Sequence, residues 1–195
     1  DSNDTPSHTV TGLTNGTYYS FQIAAVNIAG TGPTGPETVE QPRTTPSQPR
    51  NVDATPGNQE VSITWEEPTD DGGTPITGYS VYISDAPTGG TKIANCVDIV
   101  VTTCTATGLT NGTQYWFYVN AWNAVGGTES SRVNTIPRTV PGAPTDLQAA
   151  PGNGQITLTW LAPEDDGGAD IIDYVIQYST GGAWSVYNDD TSAST

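Results

Sequence analysis

The sequence predicts an all-β fold built from antiparallel sandwiches, and three observations carry that reading. Apolar and polar residues alternate in short runs, turn-forming residues separate the runs, and whole stretches recur about one domain length apart. Leu13-Thr-Asn-Gly-Thr-Tyr-Tyr-Ser-Phe21 returns 96 residues later as Leu109-Thr-Asn-Gly-Thr-Gln-Tyr-Trp-Phe117. Asp70-Asp-Gly-Gly73 returns 95 residues later as Asp165-Asp-Gly-Gly168. The parts run in the order back half, whole unit, front half.

Taken along the chain, residues 1–44 carry the first Leu-Thr-Asn-Gly-Thr segment, followed by Tyr19, Phe21, Ile23 and Ala25 at the period of a half-buried strand. Residues 45–139 form the complete unit. Its alternating sets are Val61, Ile63 and Trp65, then Tyr79, Val81 and Ile83, then Tyr115, Phe117, Val119 and Ala121. Turns are supplied by Pro56-Gly57-Asn58, Asp70-Asp-Gly-Gly73, the segment 86–90, Asn111-Gly112 and Gly126-Gly127. Residues 140–195 repeat the front of the unit, with Ile156, Leu158 and Trp160 followed by Tyr174, Ile176 and Tyr178. Each connection, 42–49 and 137–144, holds three prolines in eight residues. Proline fixes φ and removes a backbone donor, so stiff, extended joints are expected.

Composition narrows the class further. A chain of 195 residues has material for two cores of ordinary size, and its abundance of Gly, Pro, Val, Ile, Tyr and Trp, with no Met, favours strands and turns. The net charge of −16 is unevenly spread: residues 45–139 hold nine acids against four bases, and the outer pieces twelve against one. Five basic residues cannot form the cationic footprint that phosphates require, so nucleic acid is excluded as a partner and the charge is assigned to solubility. No run approaches the roughly 18 apolar residues of a membrane span. A soluble segment is expected, with any secretion signal outside it.

Cys96 and Cys104 are the only cysteines, and an even count in a small all-β unit favours a disulfide and an oxidising compartment. Two separate buried thiols are the alternative; a metal site lacks the remaining ligands.

These residues resemble the fibronectin type III domain family. The resemblance rests on Trp65 and Trp160 late in the second strand, on Tyr79 and Tyr174 in the third, and on Leu-x-x-Gly-Thr-x-Tyr followed by alternating apolar residues and an Asn. It implies an immunoglobulin-like sandwich of seven strands, A-B-E against C′-C-F-G, and a tyrosine corner at Tyr19 and Tyr115. On that mapping residues 1–44 are strands E, F and G of a split domain, 45–139 a complete domain, and 140–195 strands A, B, C and C′ of a split domain completed by residues 1–44 of the next copy. The split core would join Tyr19, Phe21 and Ile23 to Trp160, Tyr174 and Ile176, with Thr195 and Asp1 at the inter-copy junction.

Three accounts fit the split: a long tandem array continuous through the junction, strand exchange between separate chains, and closure of one chain on itself. Closure is awkward, because the intact unit and its stiff linkers hold the pieces apart. Asp1, Asp4, Asp189 and Asp190 crowd the seam, and their repulsion favours a covalent junction over exchange.

The remaining motifs have plainer explanations. The Asp-Asp-Gly-Gly loops could offer oxygens to calcium, but the alternating acids of an EF-hand are missing and a B to C turn accounts for them. Asn15 and Asn111 fit glycosylation acceptors and also the positive-φ turn between strands E and F; Asn3 is the acceptor with no competing structural reason. Trp116, Tyr118 and Trp122 should point outward beside Tyr82, and three uses stand open: cross-strand packing, contact with another protein, and stacking on sugar. His8 aligns with Cys104 and has no catalytic partners, so no enzyme activity and no cofactor are expected.

The reading is a structural protein, the repeat unit of an extracellular or cell-surface filament or stalk whose partners are further copies of itself end to end. A spacer or carbohydrate-contacting module of a secreted polysaccharide-degrading enzyme is the alternative, and a surface adhesin a third class; polysaccharide or a cell surface would then be the partner.

Overall fold

The computed structural model describes residues 6–187, all of them strand, turn or extended chain. Asp1, Asn3 and Thr195 lie outside the described residues. The head carries β1 (Tyr19–Phe21), β2 (Ala24–Asn27), β3 (Gly30–Thr34) and β4 (Thr38–Glu40). The middle carries β5 (Arg50–Pro56), β6 (Glu60–Glu66), β7 (Gly78–Ser84), β8 (Thr91–Lys92), β9 (Thr103–Thr107), β10 (Tyr115–Trp122), β11 (Gly127–Glu129) and β12 (Val133–Thr135). The tail carries β13 (Thr145–Gly152), β14 (Gln155–Leu161), β15 (Ile176–Tyr178) and β16 (Ser185–Tyr187).

In the middle unit period-two alternation does what it predicts. One sheet runs β5-β6-β9 and the other β11-β10-β7-β8, with β12 also paired to β10. Their inner faces enclose Val61, Ile63, Val81, Phe117 and Val119, all fully buried. Trp65 meets Tyr79 edge to face at 5.5 Å between centroids, a geometry that suits the ring quadrupoles. The Cys96–Cys104 disulfide staples the two sheets at one edge: Cys104 lies on β9, while the Cys96 carbonyl accepts a hydrogen bond from Val81 of β7 at 2.9 Å.

The two outer pieces keep some of this order and lose the rest. Tyr19 Oη accepts from the Thr14 amide as Tyr115 Oη accepts from Thr110, so both tyrosine corners form. The hydrogen bond from Thr14 also lowers the Tyr19 pKa. Trp160 and Tyr174 hold the edge-to-face contact at 5.3 Å. Yet the eight-residue β10 corresponds in the head to two short strands, β1 and β2, and no strand forms at residues 7–11, the copy of β9. In the tail only the three residues of β15 remain of the strand matching β7. The cause is missing partners. β10 lies between β7 and the β11–β12 edge, whereas among the described residues β1 pairs only with β4 and β2 only with β3.

Reducing the disulfide should release about 2–3 kcal/mol of loop-closure stabilisation and lower the Tm of the middle unit by about 10–20 °C in calorimetry. Phe117→Ala should cost about 3–5 kcal/mol in a denaturant titration, because the side chain is fully buried.

Candidate functional site

The most elaborately built feature outside the core is the joint between successive units, and it is built twice. At the first joint Gly16 N donates to Pro42 O at 3.0 Å, Thr44 N to Gly72 O at 2.9 Å and Ser47 N to Asp70 O at 2.8 Å. At the second, Gly112 N donates to Pro137 O at 3.0 Å, Thr139 N to Gly167 O at 2.8 Å and Gly142 N to Asp165 O at 2.8 Å. The proline-rich linker is therefore pinned on both sides, to the turn of the unit before it and to the loop of the unit after it. Side chains reinforce the first joint: Gln41 Nε2 donates to Gly73 O, and Asn123 Nδ2 donates to Thr44 O at 2.8 Å and to Asp71 O at 2.7 Å.

The Asp-Asp-Gly-Gly residue types follow from this geometry. The carboxylates of Asp70 and Asp71 accept from Gly72 N and Gly73 N, each at 2.8 Å, and Asp165 and Asp166 do the same for Gly167 and Gly168. Such side-chain turns hold the loop in the left-handed region, with φ of +77° and +82° in one copy and +76° and +83° in the other. A Cβ on Gly73 would collide with the Gly16 amide, and one on Gly168 with the Gly112 amide. Two backbones meet where no side chain fits. The loop is thus a B to C turn with a second task, and its acids are spent on the turn. Among the described residues no group of three or more His, Cys, Asp or Glu is placed to hold a metal ion.

The aromatic row lies on the outer face of the β10–β7 sheet, but its rings are not bare. Tyr82 and Tyr118 stack at 4.6 Å and 10° across the register pair that joins their strands. Arg132 covers Tyr118 at 4.1 Å, and Lys92 lies 5.6 Å from Trp122 and 5.9 Å from Tyr82. These are cation–π distances. Tyr118 is consequently only 5% exposed, and this desolvation raises its pKa against the pull of Arg132. Trp116, Trp122 and Tyr82 stay half-buried.

The residues expected to form the split core are not brought together within one chain. Among the described residues no strand of the head pairs with a strand of the tail. Ile23 is 82% exposed, where its counterpart Val119 is fully buried. Trp160, Tyr174 and Ile176 line an open groove of the tail. His8 is exposed. The joint is the feature that reading the sequence missed, although the signal was present: the Asn-Gly turn and the Asp-Asp-Gly-Gly loop recur together, at nearly the same offset.

Comparison with known proteins agrees with this architecture. The fibronectin type III domain family model matches residues 47–136. Exoglucanase B of Cellulomonas fimi is 31% identical over 188 residues, which span 87% of this chain and 16% of that protein. Receptor-type tyrosine-protein phosphatase F of Danio rerio is 32% identical over 183 residues, 89% of this chain and 9% of that protein. The chain thus spans less than a fifth of either relative. A crystal structure of titin domains superposes with a TM-score of 0.48 at 25% identity, covering 70% of this chain and 50% of that one. The match to the fibronectin type III domain family thus covers the middle unit, residues 47–136.

Proposed function

We propose that this chain is a non-catalytic structural segment: part of a stiff stalk or filament of tandem fibronectin type III domains, joined end to end outside the cell or on its surface. The observation that carries the reading is the joint, formed by the same backbone contacts at both connections. A pinned proline linker and a glycine-to-glycine contact leave adjacent units little freedom to swing, so length and direction are transmitted along the chain. The disulfide supports placement in an oxidising compartment, and the acidic surface keeps neighbouring rods apart.

Stiffness can be read directly. Spin labels at Thr38→Cys and Thr64→Cys should give a narrow distance distribution by pulsed electron resonance, and Gly73→Ala should broaden it while leaving the middle core folded. A distribution already broad in the parent chain would overturn the reading. Electron micrographs of the native material should show a regular fibre or stalk whose axial repeat is a whole number of domains.

The second reading, a carbohydrate-contacting spacer, is favoured by the half-exposed Trp116 and Trp122 and by the similarity to Exoglucanase B. It requires binding to soluble glycans in titration calorimetry that disappears in Trp116→Ala and Trp122→Ala. The stalk reading expects no heat beyond dilution. A surface adhesin has no motif of its own here, and no Arg-Gly-Asp occurs in the sequence.

A further inference from the structure

We propose that the outer face of the β7 and β10 sheet is a contact surface for a second copy of this chain, paired about a two-fold axis that runs across the strands between two rows of opposite charge. Strand register sets out the rows. Tyr82 of β7 pairs with Lys92 of β8 on one side and with Tyr118 of β10 on the other, and Arg132, just before β12, lies over the Tyr118 ring. The first row thus reads Lys92, Tyr82, Tyr118, Arg132. Two residues along the strands, about 7 Å away, Ser80 pairs with Asn120 and Asn120 with Glu129 of β11. Beyond Ser80 stands Asp98, whose Oδ1 accepts from Ser80 Oγ and whose amide donates to that oxygen, each at 3.4 Å. The second row therefore carries an acid at each end where the first carries a base.

The whole face lies on the middle unit, whose core its own two sheets enclose. Among the described residues the one ion pair joins Arg50 to Glu66, so these four charges have no salt-bridge partner within the chain. Lys92, Asp98 and Glu129 are exposed and Arg132 is half-buried. Nor does the fold ask for this pattern, since the head carries Ser20, Gln22, Ala24 and Val26 where β10 carries Trp116, Tyr118, Asn120 and Trp122. In a chain of net charge −16, two of the five bases stand in one row beside a row of acids.

A two-fold along the rows sets the first row of one copy over the second row of the other, with the strands antiparallel. Lys92 then meets Asp98 of the second copy, Arg132 meets Glu129 of the second copy, and each pair occurs twice. Trp116, beyond the first row, meets Trp122, beyond the second, so the half-buried rings close the two ends of the contact. Other arrangements fail on charge. A two-fold along the strands, or a slip that sets a row over its own copy, brings like charges together, and that repulsion fixes the register. The face measures roughly 20 by 25 Å, about 1,000 Å² for the two copies together, which is the size of a weak and reversible contact.

Sedimentation equilibrium of the full chain, from micromolar to millimolar concentration, tests the proposal through a charge swap. The parent chain should associate as concentration rises, and Arg132→Glu and Glu129→Lys should each weaken that association at least about tenfold, because each sets like charges face to face twice. An equimolar mixture of the two variants should recover the parent's association, since every facing pair is again of opposite sign. Glu129→Lys leaves Arg132 over its ring, so loss of that cover cannot mimic loss of the contact. Raising the salt to about 1 M, where the Debye length falls to about 3 Å, should also weaken the parent's association. Association unchanged in both variants, or a mixture as weak as each variant alone, would overturn the proposal. So would a parent chain that stays monomeric at every concentration, whether or not it takes up a soluble glycan at Trp116 and Trp122.

Discussion

The long strand β10 runs unbroken where neighbours take up both its edges and an opposing sheet covers its apolar face. The repeat provides an internal control, since closely related segments occur with and without that cover. β10 runs unbroken for eight residues, with Phe117, Val119 and Ala121 sealed from solvent. The corresponding head segment divides into two short strands and leaves Ile23 exposed. The inward positions stay apolar in both copies, and among the described residues the head strands lack the neighbours that flank β10. Burial of an apolar side chain contributes about 1.5–3 kcal/mol, and several such contributions are needed to offset the entropy of ordering a strand.

Contacts that depend only on nearby chain survive in the incomplete pieces. The tyrosine corner spans five residues and forms in both the head and the middle. The Trp160–Tyr174 contact persists beside an open groove. The bulge near the start of β5, with Asn51 at φ +49°, recurs in β13 with Asp146 at φ +53°. Each of these contacts forms without the full set of strands that encloses the middle core.

The joints apply the opposite logic to the connection between units. Glycine usually loosens a chain, yet here it permits the closest approach of two backbones, and the prolines on the linker remove the freedom that remains. The scarce cations serve the middle domain in a comparable way. Lys92 and Arg132, two of five basic residues, lie over aromatic rings on the outer sheet. They shield apolar surface that would otherwise invite nonspecific contact.

Much of this was legible in the order of residues. Alternation of apolar positions gave the strands, the Asn-Gly and Gly-Gly pairs gave the turns, and the offsets of 95 and 96 residues located the units, because strand period and turn chemistry are local properties. The even count of cysteines in a small all-β unit favoured a disulfide, which the structure contains. The joint was not legible, since Gly73 and Gly16 are far apart in sequence and only the folded backbone brings them into contact. Nor was the cover on the rings, for the sequence placed Tyr118 on the outer face but could not say that Arg132 would lie across it. What the sequence determined by itself is the repeated sandwich plan; which surfaces are closed was decided only by tertiary structure, because closure depends on contacts between residues distant along the chain.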